Sequence, residues 1–265
     1  MKKLLLLLLL LAAPAAAQTE HAYGNDPRQR FDFTSGGVRD GPLVVFIHGG
    51  AWSFGDKRIA AHMAAHFRAR GYAFAAINYR LAPAVTVGQQ AEDVAAALAS
   101  LGVGQRIPVL LIGHSAGAHL AALVGTDPRY LAAHRIPMGR VVGIVLLDGA
   151  GYDVPRQIET AGPLLRRMYL NAFGRDEAAQ IRLSPITHAA APNAAEFLIL
   201  HVASRPDSRA QSEALAAALR AAGTPATVAA VEGTHSSIFR GFGGEDHGAT
   251  ALTDPFAARL FGSPR

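Results

Sequence analysis

The 265-residue chain contains no cysteine, which excludes a disulfide scaffold and a cysteine-ligated metal centre. Charge is sparse as well, at 17% of residues, and beyond Lys2 and Lys3 the only lysine is Lys57. The arginines are dispersed, with Arg166-Arg167 and Lys57-Arg58 the only adjacent basic pairs after the leading segment, so there is neither a polybasic stripe nor the aromatic interleaving of a nucleic-acid surface. No G-x-G-x-x-G, P-loop or EF-hand loop is present, and neither nucleotide nor calcium is implied. What is abundant is apolar: half the residues are hydrophobic, with 27 glycines and 15 prolines. That composition excludes disorder, and at this length an α/β core can be buried without disulfides.

Lys2 and Lys3 precede eight leucines, Leu4 to Leu11, and then Ala15-Ala16-Ala17 before polar Gln18. A charged start, an apolar stretch too short to span a bilayer and a small-residue site read as a secretory signal peptide over 1–17. With no cysteine after it there is no lipoprotein anchor, so the expectation is a periplasmic or secreted protein without a stable membrane anchor. Removing the two lysines lowers the formal charge from +5 to +3. A single domain is expected over 18–265, since no linker or internal repeat interrupts it.

Behind a polar entry segment, Gln18 to Gly41, lie short apolar runs at Leu43–Ile47, Tyr72–Ile77, Val109–Ile112, Val141–Leu147, Phe197–Val202 and Ala226–Val231. Alanine-rich stretches of helical spacing alternate with them and end at Gly71, Gly102 and Gly223, glycine just past a helix end being a stop signal. Strands apolar throughout, alternating with helices, predict a mostly parallel sheet covered on both faces. Residues 154–193 break the alternation and are expected to form a cap or pocket wall above the C-terminal edge of the sheet, where ligands bind in such folds.

Gly113-His114-Ser115-Ala116-Gly117 follows one apolar run and opens the alanine-rich helix Ala118 to Val124. This is a G-x-S-x-G nucleophile elbow in its strand-to-helix context, with glycines where side chains would collide with the neighbouring strand and helix. His48-Gly49-Gly50-Ala51-Trp52 follows an earlier strand. Such a loop can offer backbone amides to the oxyanion of an acyl-transfer transition state, the expected donors being Gly50, Ala51 and Ala116.

On these residues the chain resembles the α/β-hydrolase fold, in its serine esterase branch with an HGG-x-W loop and a GHSAG elbow, near arylformamidase-like and feruloyl-esterase-like members. Asn78-Tyr79-Arg80-Leu81-Ala82-Pro83, similar to the N-Y-R-L-A segment of such esterases, and Gly117 to Ala122 extend the resemblance. It implies the chain order serine, acid, histidine, and a hydrogen bond from Tyr79 that steadies the oxyanion loop. His235, in Gly233-Thr234-His235-Ser236-Ser237-Ile238, is the expected base, ahead of His247, His188 and His201. Asp207, after the strand Phe197–Val202, is the expected acid, with Asp148 and Asp153 as alternatives after the preceding strand and loop capping as their plainer role.

Trp52 and His114 are expected at the substrate pocket, with packing an equal alternative for each, and His48 is expected to brace the oxyanion loop. His62 and His66 stand four apart on a predicted helix, but the glutamate of a zinc helix is missing, so no metal and no cofactor are expected. The activity implied is cleavage of short-chain or aryl carboxylic esters through an acyl-enzyme. An arylformamidase-like amide hydrolase and a non-catalytic binding protein on the same fold are the alternatives.

Overall fold

The computed structural model describes residues 18–38, 40–104, 107–190 and 192–262; the expected signal peptide, 1–17, lies outside the described residues. Eight strands form one sheet: β1 (Thr19–Ala22), β2 (Arg30–Thr34), β3 (Leu43–Ile47), β4 (Ala73–Ile77), β5 (Val109–His114), β6 (Val141–Leu147), β7 (Phe197–Val202) and β8 (Ala226–Val231). Their spatial order is β1-β2-β4-β3-β5-β6-β7-β8. All neighbours from β4 to β8 pair in parallel, while β1 with β2 and β2 with β4 are antiparallel.

Among the described residues ten α-helices connect and cover the strands: α1 (Ala61–Ala69), α2 (Val87–Ser100), α3 (Ala116–Thr126), α4 (Pro128–Ala133), α5 (Val154–Thr160), α6 (Pro163–Phe173), α7 (Glu177–Arg182), α8 (Pro206–Ala221), α9 (Ser237–Arg240) and α10 (Gly248–Phe261). Successive residues of a strand face opposite sides, and β3 shows the result. Val45 and Ile47 join a core with Leu98 of α2, Leu120 of α3 and Leu215 of α8, whereas Val44 and Phe46 join a second core with Met63 and Phe67 of α1 and Phe256 of α10. Both faces are thus buried, which is why these strands are apolar at every position. A capping box, in which the Thr86 hydroxyl and Gln89 side chain serve each other's backbone amides, starts α2 at Val87.

The entry segment is more ordered than its composition predicts. β1 and β2 pair from Thr19 opposite Phe33 to Ala22 opposite Arg30. Their polarity has a local reason: Lys57 Nζ, itself buried, is held by Asp32 Oδ1 of β2 at 2.7 Å and Glu20 Oε2 of β1 at 2.6 Å. Residues 154–193 contain α5, α6 and α7, and α6 carries Leu165, Met168 and Tyr169 to the wall of a pocket at the C-terminal ends of β3, β5 and β6. Among the described residues no helix is long and apolar enough to cross a membrane.

Candidate active site

Ser115 occupies the sharp turn between β5 and α3 with φ 55° and ψ −119°, a strained conformation for a residue with a side chain. Its amide donates to Leu147 O at 3.0 Å, tying the turn to β6. The flanking glycines are required by contact, since a Cβ on Gly117 would strike the backbone carbonyls of Ile47 and His48, and one on Gly113 would strike Gly117. The turn therefore lifts the hydroxyl off the end of the sheet.

His235, on the loop between β8 and α9, meets that hydroxyl with Nε2 at 3.0 Å from Ser115 Oγ. Its other nitrogen, Nδ1, lies 2.6 Å from Asp148 Oδ2. With the proton on Nδ1, the ring donates to the carboxylate and Nε2 is left to accept from the serine. The loop is fixed from below by His114, whose Nε2 stands 2.7 Å from His235 O. Burial pushes the His114 imidazole down to about 3, so it is neutral and donates this bond.

The carboxylate brought to His235 is Asp148, in place of the expected Asp207. Asp148 follows β6 directly, in left-handed backbone at φ 46°, and its Oδ1 accepts from Val202 N at 3.0 Å. Burial works against its charge, but the bonds from His235 and the Val202 amide and the nearby Arg205 cation outweigh it and hold the carboxyl well below the usual range. Asp207 lies in the first turn of α8, and its Oδ2 accepts from Arg205 Nη2 at 2.9 Å. The helix that starts at Pro206 carries it past the imidazole. Asp153 caps α5 by accepting from Arg156 N.

The loop after β3 carries positive φ at three successive residues, Gly50, Ala51 and Trp52. Tyr79 OH donates to His48 O at 2.9 Å, and the two rings stack with centroids 4.4 Å apart. His48 is buried, which lowers it to about 4, and its Nδ1 donates to Gly49 O. Gly50, Ala51 and Ala116 line the same pocket as Ser115. As the first residue of α3, Ala116 has an amide with no helical carbonyl to meet.

Trp52 both lines the pocket and packs beneath the 154–193 segment, its ring 4.7 Å from Phe173 and 5.6 Å from Tyr169. Its Nε1–H donates to His119 Nδ1 at 3.3 Å, and His119 Nε2 donates in turn to Leu183 O at 2.9 Å. Burial lowers His119 to about 4, matching a neutral ring that passes one hydrogen bond on. The pocket, of about 630 Å³, is walled chiefly by apolar side chains, including Phe54, Ile59, Leu165, Met168 and Phe239. Phe54 is 71% exposed, so the apolar lining continues out to the mouth.

The other histidines considered in the sequence have other partners. His247 Nε2 meets Ser237 O, His188 Nε2 meets Arg182 O, and His201 Nδ1 meets Val202 O. His62 and His66 diverge, to Phe239 O and to Asp254 Oδ1. One group at the site went unread in the sequence: Arg205 stands between Asp148, Asp207 and His235. No local pattern marks it.

Comparison with known proteins gives the following likenesses. The BD-FAE family model matches residues 34–130. Esterase LipC of Mycobacterium tuberculosis is 30% identical over 199 residues, 68% of this chain and 49% of LipC. A kynurenine formamidase of Danio rerio is 29% identical over 243 residues, 87% of this chain and 78% of that protein. The chain spans about half the length, or less, of the first curated relatives it matches. Thermogutta terrifontis esterase 2, solved phosphonylated by sarin, superposes with a TM-score of 0.76 at 21% identity, covering 95% of this chain and 98% of that one.

Proposed function

We propose, from its α/β-hydrolase fold and its likeness to serine esterases, that this chain hydrolyses carboxylic esters through an acyl-enzyme. The observation that carries the proposal is the continuous line Ser115 Oγ, His235 Nε2, His235 Nδ1, Asp148 Oδ2, with steps of 3.0 and 2.6 Å, at the floor of an apolar pocket.

In the first half-reaction Ser115 Oγ attacks the ester carbonyl carbon while its proton passes to His235 Nε2. Asp148 holds the ring by Nδ1 and offsets the imidazolium charge. The former carbonyl oxygen becomes an anion, which the amides of Gly50, Ala51 and Ala116, residues lining the same pocket, would receive, each comparable donor elsewhere being worth about 3 kcal/mol. The intermediate collapses, the C–O bond to the alcohol breaks, and the alcohol leaves with the proton from His235. Water then repeats the sequence on the acyl-enzyme: His235 takes its proton, the acid departs, and Ser115 recovers its hydrogen.

The apolar wall supports a neutral ester of a short acyl chain or an aryl group as the substrate. The formamidase likeness supports a second substrate class, aryl formamides, which the same attack on a carbonyl carbon would cleave. The leader sequence supports action in the periplasm or outside the cell. The test is hydrolysis of p-nitrophenyl esters from acetate to dodecanoate, and of an aryl formamide, by the wild type and Ser115→Ala. Loss of at least about 10³-fold in kcat with Ser115→Ala is expected. A wild type inert towards every ester and the formamide, or a variant equally active, refutes the proposal; absence of fluorophosphonate labelling at Ser115 would then favour a binding protein.

A further inference from the structure

We propose that Arg205 is a positioning residue: its guanidinium clamps the Asp148 carboxylate and sets a positive charge against the His235 ring, governing how tightly that ring holds a proton. The proposal rests on the reading of Ser115, His235 and Asp148 given above and adds a fourth group to it.

Arg205 Nη1 lies 2.6 Å from Asp148 Oδ2 and 2.7 Å from His235 Nδ1, and Nη2 lies 2.9 Å from Asp207 Oδ2. One planar fork therefore reaches two carboxylates and the imidazole. Asp148 Oδ2 accepts from both Arg205 and His235, so two donors converge on one oxygen. The contact between Arg205 Nη1 and His235 Nδ1 has a further consequence. When Nδ1 carries a proton it is donor against donor, and it bonds only when Nδ1 is bare and Nε2 holds the proton. Arg205 thus works against the imidazolium and offers its own hydrogen to the ring when the proton sits on the serine side.

The other groups facing His235 do not supply this charge. From β5, His114 is neutral, and its ring centroid is 4.7 Å from that of His235. From β6 comes Asp148, which is anionic, and from the β7–α8 connection Arg205 with Asp207 behind it. Tyr169 of α6 stands near this group as a neutral phenol, burial and then Asp207 raising it. Arg205 is the cation that opposes Asp148 at the ring. Asp207, the carboxylate set aside as the acid, acquires a role here as the counter-charge that orients the fork.

The consequence is that removing the guanidinium takes away a cation 2.7 Å from Nδ1 and leaves Asp148 unopposed beside the ring. The test follows the His235 ring by NMR across pH in the wild type, Arg205→Met, Arg205→Lys and Asp207→Asn, with its resonance assigned by loss in His235→Gln. Arg205→Met should raise the ring's titration midpoint by about one pH unit, a tenfold gain in proton affinity. Asp207→Asn should lower it, and Arg205→Lys, retaining the charge, should leave it near the wild type. The acid limb of kcat/KM should move with the ring in each case. A midpoint that stays fixed in Arg205→Met, or that moves in the same direction in Arg205→Met and Asp207→Asn, overturns the proposal. The ring titration needs no turnover, so an enzyme inactive on esters would sink the functional reading while leaving this measurement decisive for Arg205.

Discussion

Asp148→Asn is the substitution that separates the two carboxylates considered for the acid. Asn keeps the size of the side chain, and its amide oxygen can still accept from Val202 N, where Oδ1 now accepts at 3.0 Å. The amide nitrogen then takes the place of Oδ2, 2.6 Å from His235 Nδ1. A donor there is satisfied only by a bare Nδ1, so the ring proton moves to Nε2 and Ser115 loses its base. The same nitrogen also faces Arg205 Nη1, donor against donor. A wrong tautomer with intact geometry costs about 10⁴ in kcat in the best-characterised triad, equivalent to roughly 5 kcal/mol of barrier. We expect a loss of about 10³- to 10⁴-fold in kcat on p-nitrophenyl acetate at pH 8, with KM changed less than about threefold. Asp207→Asn touches neither ring nitrogen directly and should cost less than about tenfold at that pH. Circular dichroism and thermal melts establish that both variants fold. The opposite ranking, with Asp207→Asn crippled and Asp148→Asn active, refutes the assignment of Asp148.

Two further expectations concern stability. His48, His114 and His119 are buried with imidazoles lowered to about 4, 3 and 4, against about 6.5 in the unfolded chain. The unfolded state therefore binds more protons below about pH 6.5, and the stability present above that pH is lost as pH falls towards 4 and 3. Each ring contributes up to about 1.4 kcal/mol per pH unit. Urea midpoints should fall steeply between pH 6.5 and 4, and replacing His119 by Gln should flatten that slope; a midpoint constant over the range would contradict the burial argument. Gly117→Ala places a methyl against the Ile47 and His48 carbonyls. It should lower stability by roughly 2 kcal/mol or more and abolish turnover, and wild-type melting with wild-type kcat would show that the elbow tolerates a side chain.

Much of the fold was legible because its signals are local. β3, β6, β7 and β8 stand where the apolar runs lie; for the inner strands the reason is burial on both faces, whereas β8 is an edge strand with Thr227 and Ala230 exposed. β1 and β2 were read only as an entry segment, because their stability comes from pairing and from the Lys57 ion pairs, which composition does not reveal. The turn at Ser115 and the loop from His48 to Trp52 were equally legible, since glycines at fixed spacing report a backbone that only a tight approach demands.

The sequence by itself thus announced the parallel sheet, the elbow and the glycine loop after β3, because each carries a pattern that is local in the chain. Only the tertiary structure decided which carboxylate meets His235. β6 and β7 are parallel neighbours, so an aspartate follows each at the same end of the sheet, and the expectation of Asp207 ahead of Asp148 rested on where the fold usually places its carboxylate. The choice falls to the backbone after each strand: left-handed at Asp148, turning its carboxylate in towards the ring, and helical at Asp207, carrying it beyond. Arg205 was illegible for the same reason. Its partners lie 57, 30 and 2 residues away, and only the register of the sheet brings them within reach of one guanidinium.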